Sequence, residues 1–166
     1  MHLHRLLYME EVKWLKFMLS RELAVRPPMN DKKEAKLLAG NCVKLHRDGE
    51  IIGYAEIKKL GNHTEISTVL VDPSHRNKGV GKELISKAVE SIGSGKILSF
   101  TKNPAMAKVL QDLNFKSIVW PGFWTATVLT FNTIARLFSM LIRFEFRRIW
   151  KQGKGIHKYE RYELTK

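Results

Sequence analysis

The chain has 166 residues, enough for one domain that buries its own core, and its balance of 44% hydrophobic and 27% charged side chains excludes wholesale disorder. A single cysteine, Cys42, excludes an internal disulfide framework and a multi-thiolate zinc site, and it fits a cytoplasmic protein. The net charge of +13 is uneven: residues 1–115 hold 19 basic and 13 acidic side chains, residues 116–166 hold 10 and 3, and such a surplus points to an anionic partner.

Residues 6–24 carry Tyr8, Val12, Leu15, Leu19 and Leu23 at helical spacing, and Arg26-Pro27-Pro28 ends that helix. Glu10, Glu11, Lys13 and Lys16 interrupt any apolar run there, so the segment does not read as a signal peptide. Asp31 can cap a short helix over 32–39, with Gly40 closing it. Residues 41–47 and 50–59 read as two strands joined at Asp48-Gly49, a hairpin dipeptide. Residues 63–71 make a third strand, stopped by Asp72-Pro73. A helix over 80–92 ends at Gly93, and a short apolar strand occupies 96–101. Asn103-Pro104 opens the next helix, with Asn as N-cap and Pro in the first turn. Asn114 stands where a left-handed residue closes that helix. Residues 115–119 form a strand, 124–150 a long helix and 157–164 the last strand.

The first three strands are joined too tightly for crossovers, so they form an antiparallel meander. The later strand–helix–strand units can add parallel neighbours. The expected fold class is α/β, a mixed sheet flanked by helices in one domain over residues 1–166. Phe123–Leu141 is the least polar stretch, but Thr125, Thr127, Thr130, Asn132, Thr133, Arg136 and Ser139 argue against a spanning helix.

The most informative stretch runs from Val69 to Leu84. A strand ends, and a basic glycine turn, Arg76-Asn77-Lys78-Gly79-Val80-Gly81-Lys82, leads into a helix. Free backbone N–H groups at a helix N-terminus attract an anion, and glycine lets a phosphate approach the main chain. Arg76, Lys78 and Lys82 add positive charge. Two common phosphate motifs do not fit: a P-loop needs Gly at Arg76 and Ser or Thr at Glu83, and a dinucleotide fingerprint needs Gly at Leu84.

Arg76-Asn77-Lys78-Gly79-Val80-Gly81 resembles the Arg/Gln-x-x-Gly-x-Gly/Ala signature of the GCN5-related N-acetyltransferases. Val71-Asp72-Pro73 fits the stretch that precedes it, and Asn103 with Phe115 resembles the family's second block at the same spacing. The element order is similar over about residues 41–119. The resemblance implies a GNAT-like acyltransferase fold and acetyl transfer from acetyl-CoA to a primary amine by direct attack in a ternary complex. It implies that the pyrophosphate lies on the turn formed by Arg76, Asn77, Lys78, Gly79, Val80, Gly81 and Lys82. It implies further that Val69 and Val71 contact the pantetheine arm and that Asn103 touches the cofactor, a role compatible with helix capping.

An ammonium must lose a proton before it attacks a thioester, and a carboxylate is a suitable base. Glu65 lies eleven residues before Arg76, the offset at which the histone-modifying branch of the family places its base. Strict alternation puts Glu65, Ser67, Val69 and Val71 on one face, and a bulge of the kind frequent in this family would change that parity. The resemblance makes the Val69 N–H the oxyanion donor. The family's thiolate-protonating Tyr is replaced by Leu110. Tyr54, Tyr159, Tyr162 or water is left to take its place, and a catalytically weak acyl-CoA-binding regulator becomes the rival reading. His63, His75 and His157 lack metal-ligand spacing and read as loop or edge residues, so no metal is expected.

Residues 122–150 read as a helical insertion before the last strand. Phe131, Ile134, Ala135, Phe138, Leu141, Ile142, Phe146 and Ile149 make a broad apolar face, opposite Arg136, Arg143 and Arg147. The leading expectation is that this face packs on the sheet. An acceptor-pocket wall, a homodimer contact, a membrane surface and a nucleic-acid surface, such as that of an aminoacyl-tRNA, are the other occupants considered.

Overall fold

The computed structural model describes residues 2–154 and 158–166, with side chains from Tyr8 onward. The chain opens with α1 (His2–Arg21) and α2 (Asp31–Leu38). Both pack on one face of a six-stranded sheet, where Val12, Leu15, Met18 and Leu19 of α1 and Leu38 of α2 bury against Tyr54 and Leu70. Burying each such side chain stabilises the fold by about 1.5–3 kcal/mol. The helix expected over 6–24 begins earlier and ends before Arg26. The N-cap of α2 is Asn30, not Asp31: its side chain accepts from the Lys33 N–H.

Strands β1 (Cys42–Arg47), β2 (Glu50–Leu60) and β3 (His63–Val71) form the expected meander. Asp48 and Gly49 take φ of 53° and 82°, the left-handed pair that a two-residue hairpin turn needs. A 3-10 turn (Pro73–His75) then leads to α3 (Val80–Ser91). Strand β4 (Lys96–Thr101), α4 (Pro104–Asp112), the two-residue β5 (Lys116–Ser117) and β6 (Glu160–Thr165) complete the sheet. Its order is β1-β2-β3-β4-β6-β5. Only β3 and β4 are parallel, while β6 inserts antiparallel between β4 and β5. Of the expected last strand 157–164, residue 157 lies outside the described residues, and the strand extends to Thr165.

Helices α3 and α4 cover the second face. Leu84, Ile85 and Ala88 of α3 and Ala107 and Leu110 of α4 bury against Ile66, Ile97 and Tyr162. Asn103 caps α4 as expected, its Oδ1 accepting from the Ala105 N–H at 3.0 Å. Asn114 closes the helix at φ 64°.

The long helix expected over 124–150 is two helices, α5 (Phe123–Ile142) and α6 (Phe146–Gly153). The break falls at Phe144, whose φ is 56°. The expected packing of their apolar face is not found: of the α5 residues only Thr125 and Met140 are buried, and Phe131, Ile134, Phe138, Leu141 and Ile142 face outward.

Candidate cofactor and acceptor site

The sheet opens where the sequence places its functional residues. Pairing of β3 with β4 covers only His63, Thr64 and Glu65 against Lys96, Ile97 and Leu98. Beyond these the two parallel strands diverge, and residues 67–71 have no ladder partner on the β4 side. Ser99 Oγ donates to the Ile66 carbonyl at 3.1 Å, at the point of divergence.

A bulge shapes the free part of β3. Tyr54 pairs with Leu70 but Glu56 with Ser67, so Thr68 and Val69 together oppose Ala55. Thr68 takes φ of 49°. The extra residue reverses the strand's parity. Ile66 before it and Val69 and Val71 after it all face the α3 side, while Leu70 faces α1. Strict alternation of Glu65, Ser67, Val69 and Val71 on one face is therefore corrected: Glu65 lies across the sheet from the Val69 and Val71 side chains.

On its own face Glu65 is 8% exposed and pairs with Lys58 at 3.2 Å. Burial pushes its carboxyl above the ordinary range; Lys58, and more weakly Arg136 of α5, pull it back without cancelling the effect. Nearby, Ser67 Oγ and Tyr54 Oη are buried with no hydrogen-bond partner among the described residues. The same face carries a buried ion triad. Arg26 forms a fork onto Glu34 at 2.8 and 2.7 Å and reaches Glu56 at 3.0 Å. His63, expected at an edge, is 4% exposed. Its ring spans from Thr125 Oγ1 at 2.8 Å to Glu163 at 2.7 Å, which joins α5 to both β3 and β6.

The glycine turn sits at the far end of β3. Asn77 and Gly79 take φ of 61° and 80°, and Gly79 is the N-cap of α3 with no side-chain cap. The first backbone bond of α3 runs from the Glu83 N–H to the Gly79 carbonyl at 3.0 Å, so the amides of Val80, Gly81 and Lys82 precede the intrahelical ladder. A Cβ at Gly81 would meet no described atom within 4 Å beyond its chain neighbours and the backbone of its own helix, and the φ of Gly81 is not positive. Neither backbone conformation nor packing among the described residues requires glycine there, and the main chain is open to approach from outside.

Arg76 is engaged within the protein. Its guanidinium donates to Glu22 at 2.6 Å and to the Val71 carbonyl at 3.1 Å. It thus fixes the end of β3 and ties the turn to the end of α1. Trp14 of α1 adds a longer contact to Asp72 at 3.4 Å. Lys82 lies 4.0 Å from Asp112 and stays half exposed. Lys78 enters no ion pair among the described residues, leaving its charge free at the turn.

The three tyrosines considered as thiol acids occupy different places. Tyr159 donates to the Ala24 carbonyl at 3.3 Å, and burial pushes its phenol up. Tyr162 hydrogen-bonds Glu160, which pushes its phenol up, and accepts from Gln111. Burial raises Tyr54 more strongly. Leu110 is fully buried in the α3–α4 core. A cleft of about 440 Å³ lies between α4 and β6, lined by Thr101, Asn103, Lys108, Glu160 and Tyr162 among others. None of the residues 76–82 lines it, but Lys82 approaches its wall at Asp112. Among the described residues no group of three His, Cys, Asp or Glu side chains is placed to hold a metal.

Comparison with known proteins agrees with this fold. The Rv2747 protein of Mycobacterium tuberculosis, solved with coenzyme A, superimposes with a TM-score of 0.63 at 16% identity, over 95% of both chains. N-acetylglutamate synthase from Neisseria gonorrhoeae, solved with coenzyme A and N-acetyl-glutamate, gives 0.61 at 13% identity, over 93% of this chain and 32% of that one. The yncA protein of Salmonella typhimurium, with its cofactor acetyl-CoA, gives 0.54 at 17% identity, over 70% of this chain and 82% of its own. These likenesses are of fold. An uncharacterized protein of Mycobacterium leprae is 42% identical over 96 residues, covering 52% of this chain, which matches about a quarter (26%) of the relative's length. The model of the acetyltransferase (GNAT) family matches residues 8–115, reaching back from the glycine turn through both N-terminal helices. With the splayed sheet, the bulged third strand and the uncapped glycine turn in place, that match makes the chain a member of the GNAT acetyltransferase family.

Proposed function

We propose that the protein transfers an acetyl group from acetyl-CoA to a primary amine in a ternary complex. The observation that carries this reading is Gly81. It stands at an uncapped helix N-terminus, in open space, beside the unpaired edge of β3. On this reading the pyrophosphate accepts from the amides of the turn, and Asn77, Lys78 and Lys82 border it. The pantetheine arm lies along residues 67–71 next to Val69 and Val71, and Asn103 borders the cofactor at the end of β4. Arg76 serves by holding the strand end and the turn in register.

Glu65, directly or through water, takes the proton from the acceptor ammonium. Its raised pKa suits that task, because the ionised carboxylate then accepts a proton from an ammonium more readily than an ordinary glutamate does. The amine nitrogen attacks the thioester carbon, and the Val69 N–H stabilises the oxyanion. The C–S bond then breaks and the thiolate departs. Leu110 supplies no proton, so water protonates it.

A second reading, an acyl-CoA-binding regulator with little turnover, rests on the sealed position of Leu110. Thiol release from acetyl-CoA, measured against a panel of primary amines, separates the two. The transferase releases thiol only with amine, and Gly81→Glu abolishes both binding and release while leaving the fold intact. Tight binding with no release for any amine supports the regulator. Absence of acetyl-CoA binding refutes both.

A further inference from the structure

Thirteen of the large hydrophobic side chains exposed among the described residues lie between Val119 and Trp150. Helix α5 is buried at Thr125 and at Met140, and between residues 130 and 139 every residue except Thr133 is exposed. It therefore lies against the protein along one narrow side and turns Phe131, Ile134, Phe138 and Ile142 outward, each between 58% and 69% exposed. Soluble monomers rarely expose a continuous apolar surface of this extent. By length and composition α5 is the one described helix able to cross a bilayer. Its anchors argue against that path: Thr125 is held by His63 and Met140 is buried in the protein.

Helix α6 indicates what covers the surface. Arg148 and Gln152 face inward, donating to the carbonyl of Leu19 in the last turn of α1 and to those of Glu22, Leu23 and Val25 just beyond it. At helical spacing Phe146, Ile149 and Trp150 form the next stripe, and Arg147, Lys151 and Lys154 the one beside it. Lys154 Nζ lies 4.7 Å from the Trp150 ring centroid, at the seam between apolar and basic stripes. An apolar surface with aromatic residues at both ends and a basic stripe alongside matches the acyl–headgroup boundary of an anionic membrane. A second copy of the chain would bring two such basic stripes together, and like charges at an interface oppose association. Nucleic acid would leave the aliphatic surface of α5 uncovered.

We propose that α5 and α6 form a docking surface for an anionic lipid bilayer, lying in its interface without crossing it. The whole chain should float with vesicles of phosphatidylcholine and phosphatidylglycerol at low salt, at least about tenfold more than with phosphatidylcholine alone. Its tryptophan emission should shift to the blue on binding, since Trp124 of α5 and Trp150 of α6 are both exposed on these helices. Phe131→Ser with Phe138→Ser should abolish flotation, and Arg147→Glu with Lys151→Glu should abolish the preference for anionic vesicles. Circular dichroism melts matching wild type show that each variant is folded. Three results would each overturn the proposal. One is flotation that survives the Phe substitutions. Another is retention through an alkaline wash, as a spanning helix gives. The third is failure to float, with elution as a dimer that the Phe substitutions dissociate.

Discussion

At the scale of single residues, Glu65 decides the most. Burial holds its carboxyl protonated to a higher pH than usual, and Lys58 only partly opposes this. Its effect on rate and its effect on stability therefore run in opposite directions. In the proposed role of base it works only when ionised, so on that proposal kcat/KM should rise across a window above the ordinary carboxylate range. Glu65→Gln should lower it by about 10²-fold or more and flatten that limb. For folding, the native state binds this proton more tightly than the unfolded chain does. The associated stability is complete at acid pH and declines as pH rises through the raised folded pKa. Glu65→Gln removes the decline. In urea titrations its advantage over wild type should widen from acid to neutral pH. A gap that stays constant with pH would show that burial does not perturb the group. Slow turnover with improved stability in one variant would mark a side chain held at structural cost for chemistry.

At the scale of elements, two local signals were readable and two were not. Asp48-Gly49 and Asn103-Pro104 carry their conformations in their own backbone preferences, so the hairpin and the start of α4 fall where the sequence puts them. The bulge at Thr68 and the break at Phe144 have no such mark, because both place a non-glycine residue at positive φ. Tertiary context holds these conformations in place. The role of His63 was equally hidden, since its partners Thr125 and Glu163 lie 62 and 100 residues away. Gly61 reports on the same junction. At φ 60° its ideal Cβ would lie 2.9 Å from Thr125 Oγ1 and 3.0 Å from Thr125 Cα. Gly61→Ala should therefore destabilise the protein by about 1–3 kcal/mol, through backbone strain and displacement of the start of α5. A denaturation midpoint equal to wild type would mean that α5 is only loosely held at that end.

At the scale of the whole molecule, the glycine turn, the meander and the helices on either side were legible, because each rests on residues near in sequence. The outward face of α5 was not, since periodicity marks an apolar stripe without saying what meets it. The divergence of β3 from β4 has a further consequence. A row of main-chain groups at 67–71 lies in the middle of a sheet, paired with β2 on one side yet with no strand on the β4 side. If acetyl-CoA fills that gap, the cofactor becomes part of the folded state as well as a reactant. Folding and ligand binding are then linked. At a ligand concentration one hundred times its Kd the native state should gain about 2.7 kcal/mol, seen as a rise in Tm that Gly81→Glu eliminates. Amide hydrogens of 67–71 that point toward the β4 side should exchange quickly in the free protein and slowly in the complex. In a cell where the acyl donor runs short, the same gap would make the lifetime of the protein track the supply of its substrate.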